Sequence, residues 1–195
     1  MMAMFAFTAM AQELNVGSFN IRNGSPLREG QARPTKGDYK NYNGWDDRKQ
    51  YVCDMINLEA FDVFGSQEVK HKQLVEMMAM LPDYAYVGVA RDDGKEKGEY
   101  SPILYKKDRF KYLEGGTFWI SPTPEKVGVK GWDAALPRIC SYVRLQDKQT
   151  KVKFWFFNLH MDHVGVEARR EGAKLIIKQV LEMCGNEPAI VTGDF

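Results

Sequence analysis

Four short apolar runs in this chain each end in a polar residue able to ligate a cation or handle a proton. Asn20 closes Ser18-Phe19-Asn20, and the pair Gln67-Glu68 closes Phe64-Gly65-Ser66. His160 closes Phe156-Phe157-Asn158-Leu159, and Asp194 closes Ile190-Val191-Thr192-Gly193. Together they offer an amide, a carboxylate, an imidazole and a second carboxylate. Mg²⁺ typically takes only one or two protein carboxylates, with water and phosphate oxygens completing its shell. An imidazole in the same place can stabilise or protonate a phosphoryl oxygen. Taken singly, a strand-end carboxylate is usually a solvated turn residue, and one histidine is usually a surface or satisfied side chain. The shared context of the four endings predicts that they meet at one rim of a sandwich.

The elements that must position them follow from periodicity. Residues 14–21 alternate around β-formers and read as a strand, whereas 22–44 are polar and Gly/Pro-rich and read as a long loop. From Trp45 the spacing of Val52, Met55 and Ile56 predicts a helix, with Asp46 and Asp47 favourably placed in its first turn. A strand over 61–69 precedes a second helix that buries Leu74, Met77, Met78 and Leu81. Strands are predicted at 84–89, 101–105, 111–120 and 139–145, with a hairpin turn at 147–150 leading into 151–159. A helix over Val166 to Cys184 sets Ala173, Ile176, Ile177, Val180 and Leu181 on one face, and 188–193 reads as a buried strand. Several strands follow one another without a helix between them. The expectation is therefore an α+β fold, a four-layer sandwich of two packed, mostly antiparallel sheets flanked by helices.

Bulk properties narrow the class. With 195 residues the chain suffices for one domain, and its net charge of +1 does not point to nucleic acid as a partner, although it leaves one possible. Cys53, Cys140 and Cys184 are far apart in apolar stretches, which predicts buried free thiols rather than disulfides or a zinc site. Residues 1–11 are apolar, uncharged and end in Ala9-Met10-Ala11, like the remnant of a secretory signal peptide without its basic start. No run reaches the roughly 18 apolar residues of a membrane span. A secreted or periplasmic protein is expected.

The motifs SFNIR, SQEV, NLHMDH and IVTGDF, in this order and at these separations, resemble the endonuclease/exonuclease/phosphatase superfamily. GWDAALPR (131–138) and EYSPILY (99–105) are similar to a bacterial branch of it whose substrate is unassigned. The resemblance implies one such domain over residues 12–195 and a metal-dependent hydrolase of phosphomonoesters or phosphodiesters, of nuclease or phosphatase type, acting by in-line attack of water. It implies that Glu68 is the principal ligand of Mg²⁺ or Mn²⁺, with Asn20 beside the metal supporting its water shell. It further implies that His160 hydrogen-bonds the scissile phosphate, Asp194 orients the attacking water, and Arg138 meets a substrate phosphate. Asp162 and His163 match an HxDH form of the motif and are expected to line the pocket.

Two departures stand out. Arg22 occupies a position where some members place an acidic residue, so this strand brings no second acidic ligand. Members also follow GDF with Asn and continue to a late Asp and an Asp-His pair, so the chain as given is expected to lack part of the acid–base apparatus and its sandwich to be incomplete at the C-terminus. Such a piece would be inactive alone and, when complete, a monomer acting on a phosphate ester of unspecified identity. A different class, a secreted glycan-binding protein or glycosidase, would suit the 12% aromatic content but would require Glu68 and Asp194 to face each other across a cleft.

Overall fold

The structure, a computed structural model, describes residues 13–24 and 44–195. The leader expected over 1–11 and most of the loop expected over 22–44 lie outside the described residues. The elements run β1 (Val16–Asn20), α1 (Trp45–Glu59), β2 (Val63–Gln67), β3 (Val69–Lys70), α2 (His71–Met80), β4 (Tyr84–Val87) and β5 (Glu99–Tyr100). They continue with β6 (Ile103–Lys106), β7 (Phe110–Trp119), β8 (Ile139–Asp147), β9 (Lys153–His160), α3 (Val166–Cys184) and β10 (Ala189–Asp194).

Two four-stranded sheets form, in the orders β1-β2-β6-β4 and β10-β9-β8-β7, with β3 and β5 making a small ladder of their own. Trp45, Val52, Cys53 and Ile56 of α1 and Leu74 and Met77 of α2 pack with Phe64, Tyr84 and Leu104 of the first sheet. Ala168, Ile176 and Cys184 lie on the buried side of α3, and Ile176 and Cys184 pack with Phe118, Cys140, Trp155 and Phe157 of the second sheet. Between the sheets Val63, Ile103, Val143, Leu145, Phe154 and Phe156 make the central apolar layer. The result is the α+β sandwich of helices, sheet, sheet and helix, and all three cysteines are buried and free.

Pairing within each sheet is mixed. β1 runs parallel to β2 and β9 parallel to β10, while the remaining pairs are antiparallel. The two parallel pairs matter most for position, because strands paired that way end at the same side. In register, Val16 lies opposite Val63, Ser18 opposite Gly65, and Asn20 opposite Gln67. Likewise Phe156 lies opposite Ile190, Asn158 opposite Thr192, and His160 opposite Asp194. Side chains two apart share a face of a strand. Each of the four strands thus carries an apolar residue, then a small or polar one, then a polar end, all toward the facing sheet.

The middle tier bridges the sheets. Asn158, fully buried, accepts from Gln67 Nε2 at 2.7 Å and from Thr192 Oγ1 at 3.2 Å. It donates to the carbonyls of Ser66 at 2.7 Å and Pro102 at 3.1 Å. Gly65 is required here, since a β-carbon at that position would overlap the Asn158 amide.

The apolar face predicted for α3 is only partly buried. Ile176 is in the core, but Ile177 is 61% and Leu181 70% exposed, lining with Val191 and Phe195 an open apolar groove beside the edge strand β10. The β3–β5 ladder was not predicted at all; two-residue strands carry no periodicity.

One loop clamp also belongs to the fold. The Asp162 carboxylate, its side chain 1% exposed, accepts from the backbone N–H groups of Ala135, Val164 and Gly165 and from Arg138 Nε. Burial alone would raise its proton affinity, but these donors hold the carboxyl well below its ordinary value.

Two outcomes are expected in chemical denaturation. Asn158→Leu keeps the volume but strands the partners of the amide, and should lower stability by at least about 2 kcal/mol; an unchanged midpoint would mean that the sheets do not depend on this bridge. Asp162→Ala leaves Arg138 buried without its counter-charge and should cost about 3–5 kcal/mol at neutral pH. A depressed carboxyl contributes stability above its unfolded value of about 3.9 and loses it as the pH falls toward the folded value. The gap between wild type and Asp162→Ala should therefore narrow below about pH 4, and a gap independent of pH would contradict the assignment.

Candidate active site

Asn20, His160 and Asp194 of the third tier form the site together with Glu68, the residue after Gln67. Asn20 ends β1 and His160 ends β9, Asp194 ends β10, and Glu68 follows β2 directly. Glu68 has a left-handed backbone, φ 60°, which is uncommon for a residue with a side chain. That turn breaks the strand alternation, so Gln67 points inward to Asn158 while the next side chain reaches the rim.

There the carboxylates are tied together. Asn20 Nδ2 donates to Glu68 Oε1 at 3.0 Å and to Asp194 Oδ2 at 2.8 Å, while its own Oδ1 accepts from the Arg22 N–H at 2.9 Å. Glu68 Oε2 accepts from the Asn23 N–H at 2.9 Å and from Asn23 Nδ2 at 3.3 Å. His160 Nε2 lies 3.9 Å from Asp194 Oδ2. One ligand atom from each of Glu68, His160 and Asp194 falls within 4.8 Å of the others.

The electrostatics follow from these contacts. Burial pushes the Glu68 carboxyl up, but the Asn23 N–H and the Asn20 amide outweigh it, with His160 helping and Asp194 opposing; the net direction is down. Burial, and then the positive charge of Arg138, push His160 down, against the upward pull of Asp194, Glu68 and Glu99. The site thus pairs a firmly ionised Glu68 with a neutral imidazole at neutral pH. Two carboxylates with an adjacent neutral nitrogen suit a hard divalent cation, and the closeness of Glu68 to Asp194 leaves negative charge for such an ion to offset.

Beside His160 runs a narrow crevice lined by Arg91, Glu99, Ser101, Arg138 and Ile139. Arg138 is nearly fully buried; its Nε donates to Asp162 at 3.1 Å and its Nη2 lies 2.9 Å from His163 Nδ1. Glu99 accepts from Arg91 Nη1 at 2.6 Å and from Asn23 Nδ2 at 3.2 Å.

Against the expectations from sequence, Asn20, Glu68, His160 and Asp194 come together, and Arg138 stands next to His160. One placement differs. Asp162 does not line an open pocket, since its carboxylate is consumed by the loop it organises. Asn20 lies against both carboxylates, to which its amide nitrogen donates. His163 is exposed, at the side of Arg138.

Several residues escaped the reading from sequence. Asn23 holds Glu68 through backbone and side chain. Gln73, buried in α2, accepts from the N–H of Gly24 at 2.9 Å and donates to the Arg22 carbonyl at 3.0 Å. Arg48 of α1 donates to the carbonyl of Ile21 at 2.7 Å. The signal available for Gln73 was a glutamine on the apolar face of a helix, one position before Leu74; Asn23 and Arg48 gave none.

Comparison with known proteins bears on this arrangement. No family model matches the chain. An uncharacterized protein of Acanthamoeba polyphaga mimivirus is 28% identical over 159 residues, covering 77% of this chain and 59% of that protein. Among solved structures, an endonuclease/exonuclease/phosphatase family protein from Bacteroides thetaiotaomicron is 46% identical with a TM-score of 0.82, over 93% of this chain and 62% of that one. A mannosyl-6-phosphatase from the same organism is 45% identical with a TM-score of 0.83, over 93% of this chain and 65% of that one. The chain therefore spans less than two thirds of the length of these relatives. With the same sandwich and close to half of the residues in common over nearly its whole length, the chain belongs to the endonuclease/exonuclease/phosphatase superfamily.

Proposed function

We propose that this chain serves a divalent-metal-dependent phosphoester hydrolase whose preferred substrate is a phosphomonoester of a hydroxyl-rich, sugar-like alcohol. The observation that carries the reading is the gathering of Glu68, His160 and Asp194 within 4.8 Å, with Asn20 bonded to both carboxylates. The sugar monoester is supported by 45% identity to a mannosyl-6-phosphatase.

In this reading Glu68 and Asp194, with His160 alongside, hold Mg²⁺ or Mn²⁺. When bound, such an ion neutralises charge on phosphoryl oxygens and lowers the proton affinity of water. Asn20 and Asn23 fix the Glu68 carboxylate in one orientation. His160, neutral because it is buried beside Arg138, has one N–H to give to a phosphoryl oxygen, where negative charge grows as water attacks. The Asp194 carboxylate accepts a hydrogen bond from that water and aligns it opposite the leaving oxygen. One P–O bond forms as the other breaks, yielding the alcohol and inorganic phosphate.

The glycosidase alternative is less well supported, because it gives no role to Asn20, whose amide bridges Glu68 and Asp194, or to His160 beside them. No helix among the described residues is long and apolar enough to cross a membrane. Placement outside the cytoplasm is part of the proposal and rests on the apolar run at residues 1–11.

The reading is tested by release of phosphate from mannose 6-phosphate and p-nitrophenyl phosphate by the full-length protein, run beside bis-p-nitrophenyl phosphate with Mg²⁺ or with EDTA. Both monoesters should be cleaved faster than the diester, and EDTA or Glu68→Ala should abolish turnover. Asn20→Ala should lose about 10- to 100-fold in activity or metal affinity, and His160→Ala about 100-fold or more in kcat. Turnover that survives both EDTA and Glu68→Ala sinks the metal assignment; a preference for the diester overturns the substrate class.

A further inference from the structure

The loop after β9 holds a histidine whose neighbour dictates which ring nitrogen carries the proton. Arg138 Nη2 lies 2.9 Å from His163 Nδ1. A guanidinium stays protonated in proteins and offers only donors. Nδ1 must therefore accept, and the neutral ring keeps its proton on Nε2.

The arrangement cannot easily relax. The Arg138 side chain is 5% exposed and its Nε is held by Asp162, which backbone N–H groups fix in turn. Buried anchors thus end in an imidazole that is itself exposed. His163 lies three residues beyond His160, and Arg138, its partner, lines the crevice beside His160. The Nε2–H is thus a donor held through Arg138 beside the crevice at His160.

We propose that His163 is a specificity-determining residue, its Nε2–H donating to a hydroxyl or ring oxygen of the alcohol esterified to the phosphate. A neutral donor suits such oxygens, whereas the phosphate charge is met by the groups at the rim. The substrate half of this proposal rests on the phosphoester-hydrolase reading; the tautomer does not.

The test has two arms on the full chain. Long-range ¹H–¹⁵N spectra of the histidine rings, assigned with His163→Gln, report the tautomer directly. An Nε2–H ring for His163 is expected, and an Nδ1–H ring overturns the proposal. In the second arm, His163→Ala should raise the KM for mannose 6-phosphate about 3- to 10-fold, the worth of one neutral hydrogen bond. kcat should stay near wild type, and p-nitrophenyl phosphate, which has no hydroxyls, should not respond. His163→Gln, which retains an N–H, should recover much of the loss. Equal losses on both esters, or no change in KM, would overturn the proposal. A full-length wild-type protein that turns over neither ester defeats the substrate half together with the reading beneath it, while the spectrum still decides the ring.

Discussion

Parallel pairing of β1 with β2 and of β9 with β10 is the constraint on which the site depends. Parallel neighbours end on the same side, and the registers align three tiers: Val16, Val63, Phe156 and Ile190, then Ser18, Gly65, Asn158 and Thr192, then Asn20, Gln67, His160 and Asp194. The first tier belongs to the dry layer between the sheets. The second replaces apolar packing by the hydrogen bonds of Asn158, which reach the strands of both sheets. The third, apart from the buried Gln67, reaches the rim. Chemistry at the rim is thus held two residues from a buried amide, and that amide lies two residues from the apolar core.

The charge arrangement requires that rigidity. Glu68 and Asp194 lie close enough to repel, and a single amide nitrogen donates to both. Hydrogen bonds to the ionised form keep Glu68 charged despite partial burial, whereas His160, also partly buried but without a direct hydrogen bond to a counter-charge, is held down by desolvation and by Arg138. The same rim therefore contains one group stabilised as an anion and one stabilised as a neutral donor. Freely rotating side chains could relieve the repulsion by turning away. Asn23, Gln73 and Arg48 prevent it by securing the segment after β1 on which Glu68 leans.

Much of this was legible in the residues and some was not. Asn20, Glu68, His160 and Asp194 could be picked out because each interrupts an apolar run at its C-terminal end, and α3 was legible to the residue from its period. The tiers were encoded as well, in V-x-S-x-N, V-x-G-x-Q, F-x-N-x-H and I-x-T-x-D, yet only the register makes them a pattern. Asp162 was misread because a carboxylate in a loop beside a strand-end histidine has the same appearance in sequence whether it faces solvent or its own backbone. Ile177 and Leu181 share the apolar face of α3 that the period defines, but helical spacing does not say how deeply each side of a face sinks, and both are exposed.

Arg138 illustrates how stability and recognition become inseparable at such a rim. Its guanidinium neutralises Asp162, lowers the proton affinity of His160 and fixes the ring of His163. Burial pushes the guanidinium down from its ordinary value and Asp162 opposes that shift, so the pair is held as a unit rather than as two independent charges. Removing Arg138 would therefore free a buried carboxylate, release His163 and take away the positive charge that acts on His160. A loss of activity in such a variant could not be read as the loss of a phosphate contact. Substitutions at His163, which is exposed and holds up nothing else among its described contacts, leave that framework standing. Recognition is therefore separable from folding at the imidazole end of the relay and not at the guanidinium.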